Sequence, residues 1–143
     1  PKVASGTITN ALSSDTVIVP HSYRPAKVRR MLSLNPVSFQ FAIVRHPLTR
    51  FASAYKWATR ENICAVGYPF DIDQRKIILK FDNINDFCES LHLLLADEKT
   101  HLIHFYPQTE YIYTNGRRMI DFVGKFESMP YSCEALAKIH SYI

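Results

Sequence analysis

The segment from residue 41 to residue 55 constrains the fold more than any other part of the sequence. Phe41–Val44 is a short apolar run that is typical of a buried strand, and it is followed directly by Arg45. Pro47 is then suited to the first position of a helix. Arg45 and Ser53 are eight residues apart, so a guanidinium at the strand end and a hydroxyl two turns into the helix can converge on one anion. The segment predicts a phosphate-binding strand–turn–helix unit without a glycine-rich loop.

The first seven residues form a second candidate anion site. Their small side chains let backbone N–H groups approach an anion, and a helix predicted over residues 7–12 would add partial positive charge at its N-terminus. Lys2 supplies a mobile charge, and Ser5 and Thr7 supply hydroxyls. Because the lysine precedes the small residues, the order is not that of a Walker A loop. A surface turn is the alternative for this segment, as a salt-bridge role is for Arg45. Together the two sites predict a ligand with two separated phosphate-like groups.

Composition is that of a globular chain. The 143 residues are 47% hydrophobic and 21% charged, which suffices for one domain with a buried core. The net charge of +4 is consistent with an anionic ligand, whereas the scattered cations disfavour a nucleic-acid-binding module. No run approaches the ~20 apolar residues of a membrane span, and no signal peptide is visible.

The chain start and the cysteines add two expectations. Because the sequence begins with Pro1 inside a motif, we expect a piece that lacks flanking segments. Cys64, Cys88 and Cys133 fit no CxxC metal spacing, and their odd number argues against a closed disulfide framework. Free, partly buried thiols are expected, with one disulfide plus a spare thiol as the alternative.

Strands and helices are predicted to alternate, which favours an α/β fold. The strands are expected at residues 15–20, 39–44, 111–114 and 119–123, the last two around an Asn115–Gly116 turn. The helices are expected at residues 25–34, 47–61 and 85–99 and from Ser128 onward. In the second helix, one periodic face is expected to point to the core: Leu48, Phe51, Ala52 and Tyr55. Gly67, Pro69 and two aspartates predict a loop or lid-like insertion over residues 62–82.

The two anion motifs together resemble those of PAPS-dependent sulfotransferases of the carbohydrate type, often called sulfotransferase family 2. The first seven residues are similar to the family's loop for the 5′-phosphosulfate of 3′-phosphoadenosine 5′-phosphosulfate (PAPS). Residues 45–55 are similar to its R-x-P-x-x-R-x-x-S-x-Y element for the 3′-phosphate, with His46 in place of the usual acidic residue. The resemblance implies nucleotide contacts from Lys2, Ala4, Ser5, Gly6, Thr7, Arg45 and Ser53.

Two further segments resemble the same family. Residues 104–108 are similar to its HxxPQ element near the acceptor, and residues 121–127 to its D-x-[IV]-G-[RK]-[FY]-E element. The resemblance implies a three-layer α/β/α, P-loop-NTPase-like fold with a central parallel sheet, present as one partial domain over residues 1–143. Relatives have a strand before the first loop and a C-terminal covering region, and neither is in this sequence, so truncation at both ends is expected.

Sulfuryl transfer to a hydroxyl needs charge neutralisation and a base. Lys2 would neutralise the leaving phosphate. His21, after the strand predicted at residues 15–20, is the first candidate base, because relatives place a histidine or glutamate in this interval and strand ends face the ligand crevice. His104 is the second, as base or acceptor-orienting group. His101 and His104 lack a third metal ligand, so no metal is expected, and Glu127 is expected in a structural salt bridge.

The expected acceptor is a hydroxyl of a poly- or oligosaccharide, contacted by loops such as residues 62–82. An inactive or truncated remnant that binds the product PAP and a P-loop nucleotide kinase are the alternatives. A bacterial relative would be cytoplasmic, and an animal one would be anchored in the Golgi membrane with its domain in the lumen. Acceptor identity and oligomeric state stay open.

Overall fold

The computed structural model describes residues 23–34, 39–63, 67–97 and 99–140. The chain divides into two compact units. We call the described residues 48–106 the helical unit, and the described residues 23–47 and 107–140 the strand unit. The helix and strand predicted over residues 7–12 and 15–20 lie outside the described residues, as do these predicted site residues: Lys2, Ala4, Ser5, Gly6, Thr7 and His21.

Helices and strands both occur, so the prediction of an α/β chain is confirmed at that level. The described helices are α1 (Pro25–Ser33), α2 (Pro47–Ala58), α3 (Pro69–Ile78), α4 (Ile84–Ala96), α5 (Thr109–Ile112) and α6 (Met129–His140). The strands are β1 (Phe41–Val44), β2 (Tyr113–Thr114), β3 (Arg117–Arg118) and β4 (Phe122–Lys125), and Phe126–Ser128 is a 3-10 turn. None of these helices has the length and apolar character needed to cross a membrane.

The strand unit is built on a parallel pair formed by β1 and β4. The register runs from Phe41 opposite Phe122 to Val44 opposite Lys125. Gly124 allows close packing beside this pair, because a Cβ at this position would lie 2.6 Å from Ile43 Cδ1 and 2.9 Å from the Ser132 side chain of α6. The Ser132 hydroxyl accepts from the Lys125 N–H at 3.0 Å and donates to the Lys125 carbonyl at 3.1 Å. The contact therefore joins α6 to β4.

The second predicted strand pair is partly wrong. The Asn115–Gly116 turn is present, with φ of 50° and 75°, and these left-handed angles suit the tight turn of a two-residue hairpin. The hairpin has only two residues on each side, β2 and β3. The sequence before it is helical as α5, and the following strand starts at Phe122 and pairs with β1 instead. Parallel pairing joins residues that are distant in sequence, so local turn signals could not reveal it.

The core of the helical unit surrounds Phe87 of α4. The Phe87 ring is fully buried, and its centroid lies 5.1 Å from that of Phe105 and 5.6 Å from that of Phe81. The helix predicted over residues 85–99 is present as Ile84–Ala96, so it ends three residues earlier than predicted. It starts behind Asn83, whose side chain accepts from two N–H groups of the first turn. The buried core residues are Ala54, Ala58, Ile78, Phe87, Leu102 and Phe105.

The predicted core face of α2 is wrong in part. Phe51 and Tyr55 pack against the core, but Leu48 is 73% exposed and Ala52 is exposed. The buried positions are Arg50, Ala54 and Ala58, which are spaced by four residues and share one face. The core therefore contacts the aromatic side chains of α2 together with a row of small side chains, and the buried arginine lies on the same face as that row.

The prediction of a loop or lid over residues 62–82 is also wrong, because α3 lies within it. Pro69 is the first helical residue, which is a favoured position rather than a break. The Asp71 carboxylate accepts from the Tyr68 N–H at 3.0 Å and so binds an N–H that precedes the helix. Asp71, Gln74 and Ile78 are all buried. The residues interpreted as loop signals are thus helix-start signals.

Candidate functional site

The carboxyl end of β1 presents Arg45, the first predicted phosphate ligand that the structure describes. Val44 is the last residue paired with β4, so Arg45 lies just beyond the ladder. The Gln108 side chain binds its backbone. Gln108 Oε1 accepts from the Arg45 N–H at 2.9 Å, and Gln108 Nε2 donates to the Arg45 carbonyl at 2.7 Å. One amide thus binds both backbone groups of Arg45, as a neighbouring strand would.

The residue after Arg45 is bound from the other motif. Glu127 Oε1 accepts from the His46 N–H at 2.7 Å. This hydrogen bond, followed by one from the Glu127 backbone N–H, lowers the pKa of the Glu127 carboxyl, so the group is ionised at neutral pH and suited to accept rather than to hold a proton. Glu127 thus accepts from a backbone N–H, and the nearby charge of Arg45 makes a smaller contribution in the same direction. The salt-bridge role expected for Glu127 stays a prediction. Arg45 Cζ lies 4.7 Å from the centroid of the Phe126 ring.

The same motif also binds the opposite end of β1. Asp121 Oδ2 accepts from the Gln40 N–H at 2.7 Å, and the Asp121 N–H donates to the Gln40 carbonyl at 2.8 Å. Asp121 therefore contacts the backbone of the residue immediately before β1, and Glu127 contacts the backbone two residues after the strand ends. The segment over residues 121–127, recognised from sequence only as a motif, is the scaffold that fixes the strand leading to Arg45.

Ser53, the second predicted phosphate ligand within the described residues, lies on α2 in the helical unit. Its side chain is half-buried. The α2 helix is longer than two turns beyond Pro47, as the spacing of the motif requires. Ser53 as a nucleotide contact stays a prediction.

Arg50 of α2 is a residue that the sequence did not mark as functional. Its side chain is buried, with a relative exposure of 6%. Nη1 donates to the His104 carbonyl at 2.8 Å, and Nη2 donates to the Tyr106 carbonyl at 2.7 Å. The planar fork of the guanidinium suits two adjacent acceptors. Its four-residue spacing from Ala54 was the available signal that Arg50 belongs to the buried face.

His104 lies in a buried polar group within the helical unit. It is 2% exposed, and its Nε2 lies 2.9 Å from Asp71 Oδ1. The same carboxylate oxygen accepts from Trp57 Nε1 at 3.0 Å, while the His104 N–H donates to Gln74 Oε1 at 3.3 Å. Burial by itself raises the pKa of Asp71, but the hydrogen bonds from His104, the Tyr68 N–H and Trp57 together outweigh it and lower the pKa.

This arrangement bears on the second candidate base. With an ionised Asp71 as acceptor, the proton of a neutral imidazole is on Nε2 and the basic nitrogen is Nδ1. The geometry gives His104 a hydrogen-bonding role inside the unit, and its role as base or acceptor-orienting group stays a prediction. His101 is exposed, and no group of three or more potential metal ligands occurs among the described residues.

The thiols can be placed in part. Cys88 on α4 and Cys133 on α6 are free, as predicted, but both are exposed rather than partly buried. Cys64 lies outside the described residues. Nothing in the described part of the chain therefore indicates a redox or metal-binding function for Cys88 or Cys133.

Comparison with known proteins identifies the class. The sequence matches the model of the sulfotransferase family over residues 1–142. The chain therefore belongs to the sulfotransferase family, a class of transferases that move a sulfuryl group. No curated protein and no solved structure matches the chain.

Proposed function

We propose that the protein transfers the sulfuryl group of PAPS to a hydroxyl of a poly- or oligosaccharide. Membership of the family assigns sulfuryl transfer in general. The observation that supports the nucleotide donor is the fixed position of Arg45 at the carboxyl end of a parallel strand. Ligands of α/β proteins bind at such strand ends, and a guanidinium is suited to a phosphate dianion.

Arg45 and Ser53 would bind the 3′-phosphate, and residues of the first loop would bind the 5′-phosphosulfate: Lys2, Ala4, Ser5, Gly6 and Thr7. Among the described residues, Arg45 is the one at which the fit to the 3′-phosphate can be judged. Phe126 lies against its guanidinium, and Gln108 binds its backbone, so the side chain starts from an ordered base. A donor-only cation held in this way matches the acceptor-only oxygens of a phosphate.

PAPS supplies an activated sulfuryl group, and the chain supplies binding, charge and a base. The acceptor oxygen forms a bond to sulfur while the bond from sulfur to the bridging oxygen breaks, and PAP leaves with that electron pair. Lys2 offsets the charge that develops on the leaving phosphate. His21 takes the proton of the acceptor hydroxyl, with His104 as the second candidate.

The proposed architecture is the three-layer α/β/α fold that the family resemblance implies. The parallel β1–β4 pair supports it, because a parallel connection needs a long crossover. The α1 helix precedes β1, and α6 follows β4 and packs on it through Ser132. We propose that further parallel strands lie beside this pair in the central sheet.

Titration calorimetry with PAP tests the nucleotide site. Loss of a charge-assisted contact in Arg45→Ala should cost about 2–4 kcal/mol of binding free energy, which is about a 30- to 700-fold rise in Kd. The matched control is Arg117→Ala, which removes the same charge from the exposed strand β3 and should leave Kd close to that of the parent.

Three outcomes decide the proposal. Tight PAP binding by the parent, weak binding by Arg45→Ala and no heat with adenosine would support it. A folded parent that does not bind PAP would contradict the nucleotide donor. Unchanged binding in a folded Arg45→Ala variant would remove Arg45 from the site.

A further inference from the structure

We propose that Gln108 is a positioning residue that gives the site its preference for a nucleotide with a 3′-phosphate. It would do so by fixing the backbone of Arg45, so the inference rests on the proposed nucleotide site. Gln108 is the last residue of the segment over residues 104–108, which resembles the family's HxxPQ element near the acceptor. Its observed contacts are with the phosphate-binding motif instead.

The geometry supports a role for Gln108 in orienting Arg45. The ladder between β1 and β4 ends at Val44 and Lys125, so Arg45 follows the last paired residue of the strand. The Gln108 amide accepts from the N–H of Arg45 at 2.9 Å and donates to the carbonyl of the same residue at 2.7 Å. Two hydrogen bonds to one residue restrict both peptide planes that flank its Cα, and thereby the direction of its side chain.

Contacts from the 121–127 segment act on the same point. Glu127 binds the next N–H, that of His46, at 2.7 Å. Phe126 lies under the guanidinium of Arg45 at 4.7 Å. Backbone and side chain of Arg45 are thus restricted before a ligand arrives, and such preorganisation lowers the cost of binding.

Gln108 is itself held in place. It directly precedes α5, and Arg29 of α1 donates to the backbone carbonyl of Glu110 at 2.6 Å and approaches its carboxylate at 3.3 Å. The Tyr111 hydroxyl donates to the Tyr23 carbonyl at 3.3 Å. Because α5 is joined to α1, the amide of Gln108 is presented from an anchored element rather than from a free loop.

The side-chain type is selective. A carboxylate at this position could accept from the Arg45 N–H but could not donate to its carbonyl. An asparagine has the amide but is one methylene shorter. Only a glutamine-length amide offers both a donor and an acceptor with this reach.

The test compares PAP with adenosine 5′-monophosphate, which lacks the 3′-phosphate. The Kd for adenosine 5′-monophosphate divided by the Kd for PAP is the ratio that isolates the contribution of the 3′-phosphate. In Gln108→Met, which keeps the length and removes both hydrogen bonds, we expect this ratio to fall about tenfold while adenosine 5′-monophosphate binds as before. Gln108→Asn is the second variant, should the methionine variant not fold, and it should reduce the ratio as well.

The matched control is Gln40→Met. Gln40 precedes β1 at its other end, and its amide donates to the Leu32 carbonyl at 3.1 Å. This variant should lose stability without changing the ratio. In an Arg45→Ala background, Gln108→Met should change the ratio no further, because the residue acts through Arg45.

The outcomes separate this inference from the proposed function. A parent that binds PAP, with a ratio unchanged in a folded Gln108 variant, would overturn the inference alone. An equal loss for both nucleotides would also overturn it, since that marks a merely structural residue. A folded parent that does not bind PAP would overturn the proposed function and this inference together.

Discussion

At the residue scale, the two arginines of one motif, Arg45 and Arg50, have different roles. Arg45 follows a strand and is proposed to bind phosphate, whereas Arg50 is buried and donates to the carbonyls of His104 and Tyr106. A lysine has a single donor nitrogen on a flexible stem, so it would not hold these two carbonyls with the fixed planar geometry of a guanidinium. The motif therefore contains a ligand and a structural cation that look alike in sequence.

Asp71 is the second residue whose role the sequence did not show. Its carboxylate accepts from His104, Trp57 and the Tyr68 N–H. These hydrogen bonds stabilise the folded state only while the buried Asp71 carboxylate is ionised. The stability of the helical unit should therefore depend on acidity through this one group.

The substitution Asp71→Asn tests this dependence on pH. The pKa of Asp71 is lowered in the folded protein, so its contribution is complete above the unfolded pKa of about 3.9. It is lost as pH falls through the lower folded value, because the unfolded state then binds more protons. We expect Asp71→Asn to be less stable than the parent at pH 7 and to lose less between about pH 5 and pH 3. Urea unfolding across this range measures the effect.

The control for that experiment is Asp73→Asn on the same helix. The Asp73 carboxylate is exposed and lies 3.3 Å from Lys76, an exposed pair of small energetic value. Its unfolding curve should follow that of the parent with pH. Parallel curves for the parent and Asp71→Asn would show that Asp71 is not the responsible group.

At the scale of elements, the sequence predicted those helices and strands that carry local signals. Pro25 and Pro47 each occupy the first helical position, and the spacing of Phe87, Leu91 and Leu94 marked α4. The α3 helix was missed because Gly67 and Pro69 also begin loops. The burial of Gln74 and Ile78, a tertiary property, distinguishes the two.

The contacts of the candidate site were less predictable, because they join distant parts of the chain. Arg45 and Gln108 are 63 residues apart, and His46 and Glu127 are 81 residues apart. The family motifs identified these residues as noteworthy, but motif letters do not state which atoms meet. The sequence thus predicted the position of Arg45 at a strand end and not the amide that binds its backbone.

The junction between β4 and α6 gives a prediction at the same scale. A Cβ in Gly124→Ala would lie within 2.9 Å of Ser132 and closer still to Ile43 Cδ1, so α6 or β1 must shift. We expect a loss of about 1–3 kcal/mol in the free energy of unfolding, measured with urea. Ile43→Val removes the Cδ1 atom, so the double variant should lose less than the sum of the single losses.

A purely additive double variant would show that Ile43 is not the obstacle. Gly116→Ala serves as the comparison, because no atom lies within 4 Å of its Cβ position and φ is +75°. Its loss reflects the backbone conformation, at about 1–2 kcal/mol, and should not respond to Ile43→Val.

At the scale of the whole molecule, a bound nucleotide should stabilise the folded chain. A ligand at 100 times its Kd adds about 2.7 kcal/mol, which corresponds to a rise in Tm of about 5–10 °C for a chain of this size. We expect this rise with PAP for the parent and a rise of less than half as much for Arg45→Ala at the same concentration. Thermal scans with and without PAP measure it.

Adenosine is the control ligand for these scans and should leave Tm unchanged. Equal shifts for the parent and Arg45→Ala would place the nucleotide elsewhere on the molecule. The scans report on folded protein only, so they also confirm that the arginine variant is folded.

The parallel pairing of β1 with β4 has a consequence for how the chain is made. Of the strands that the structure describes, β4 is the one that pairs with β1. The residues that directly precede the two strands, Gln40 and Asp121, are 81 residues apart in sequence. At about 5–20 residues per second, the ribosome needs about 4–16 s to deliver β4 after β1. During that interval the apolar run from Phe41 to Val44 awaits this partner, and the chaperones that meet the nascent chain have that time in which to shield it.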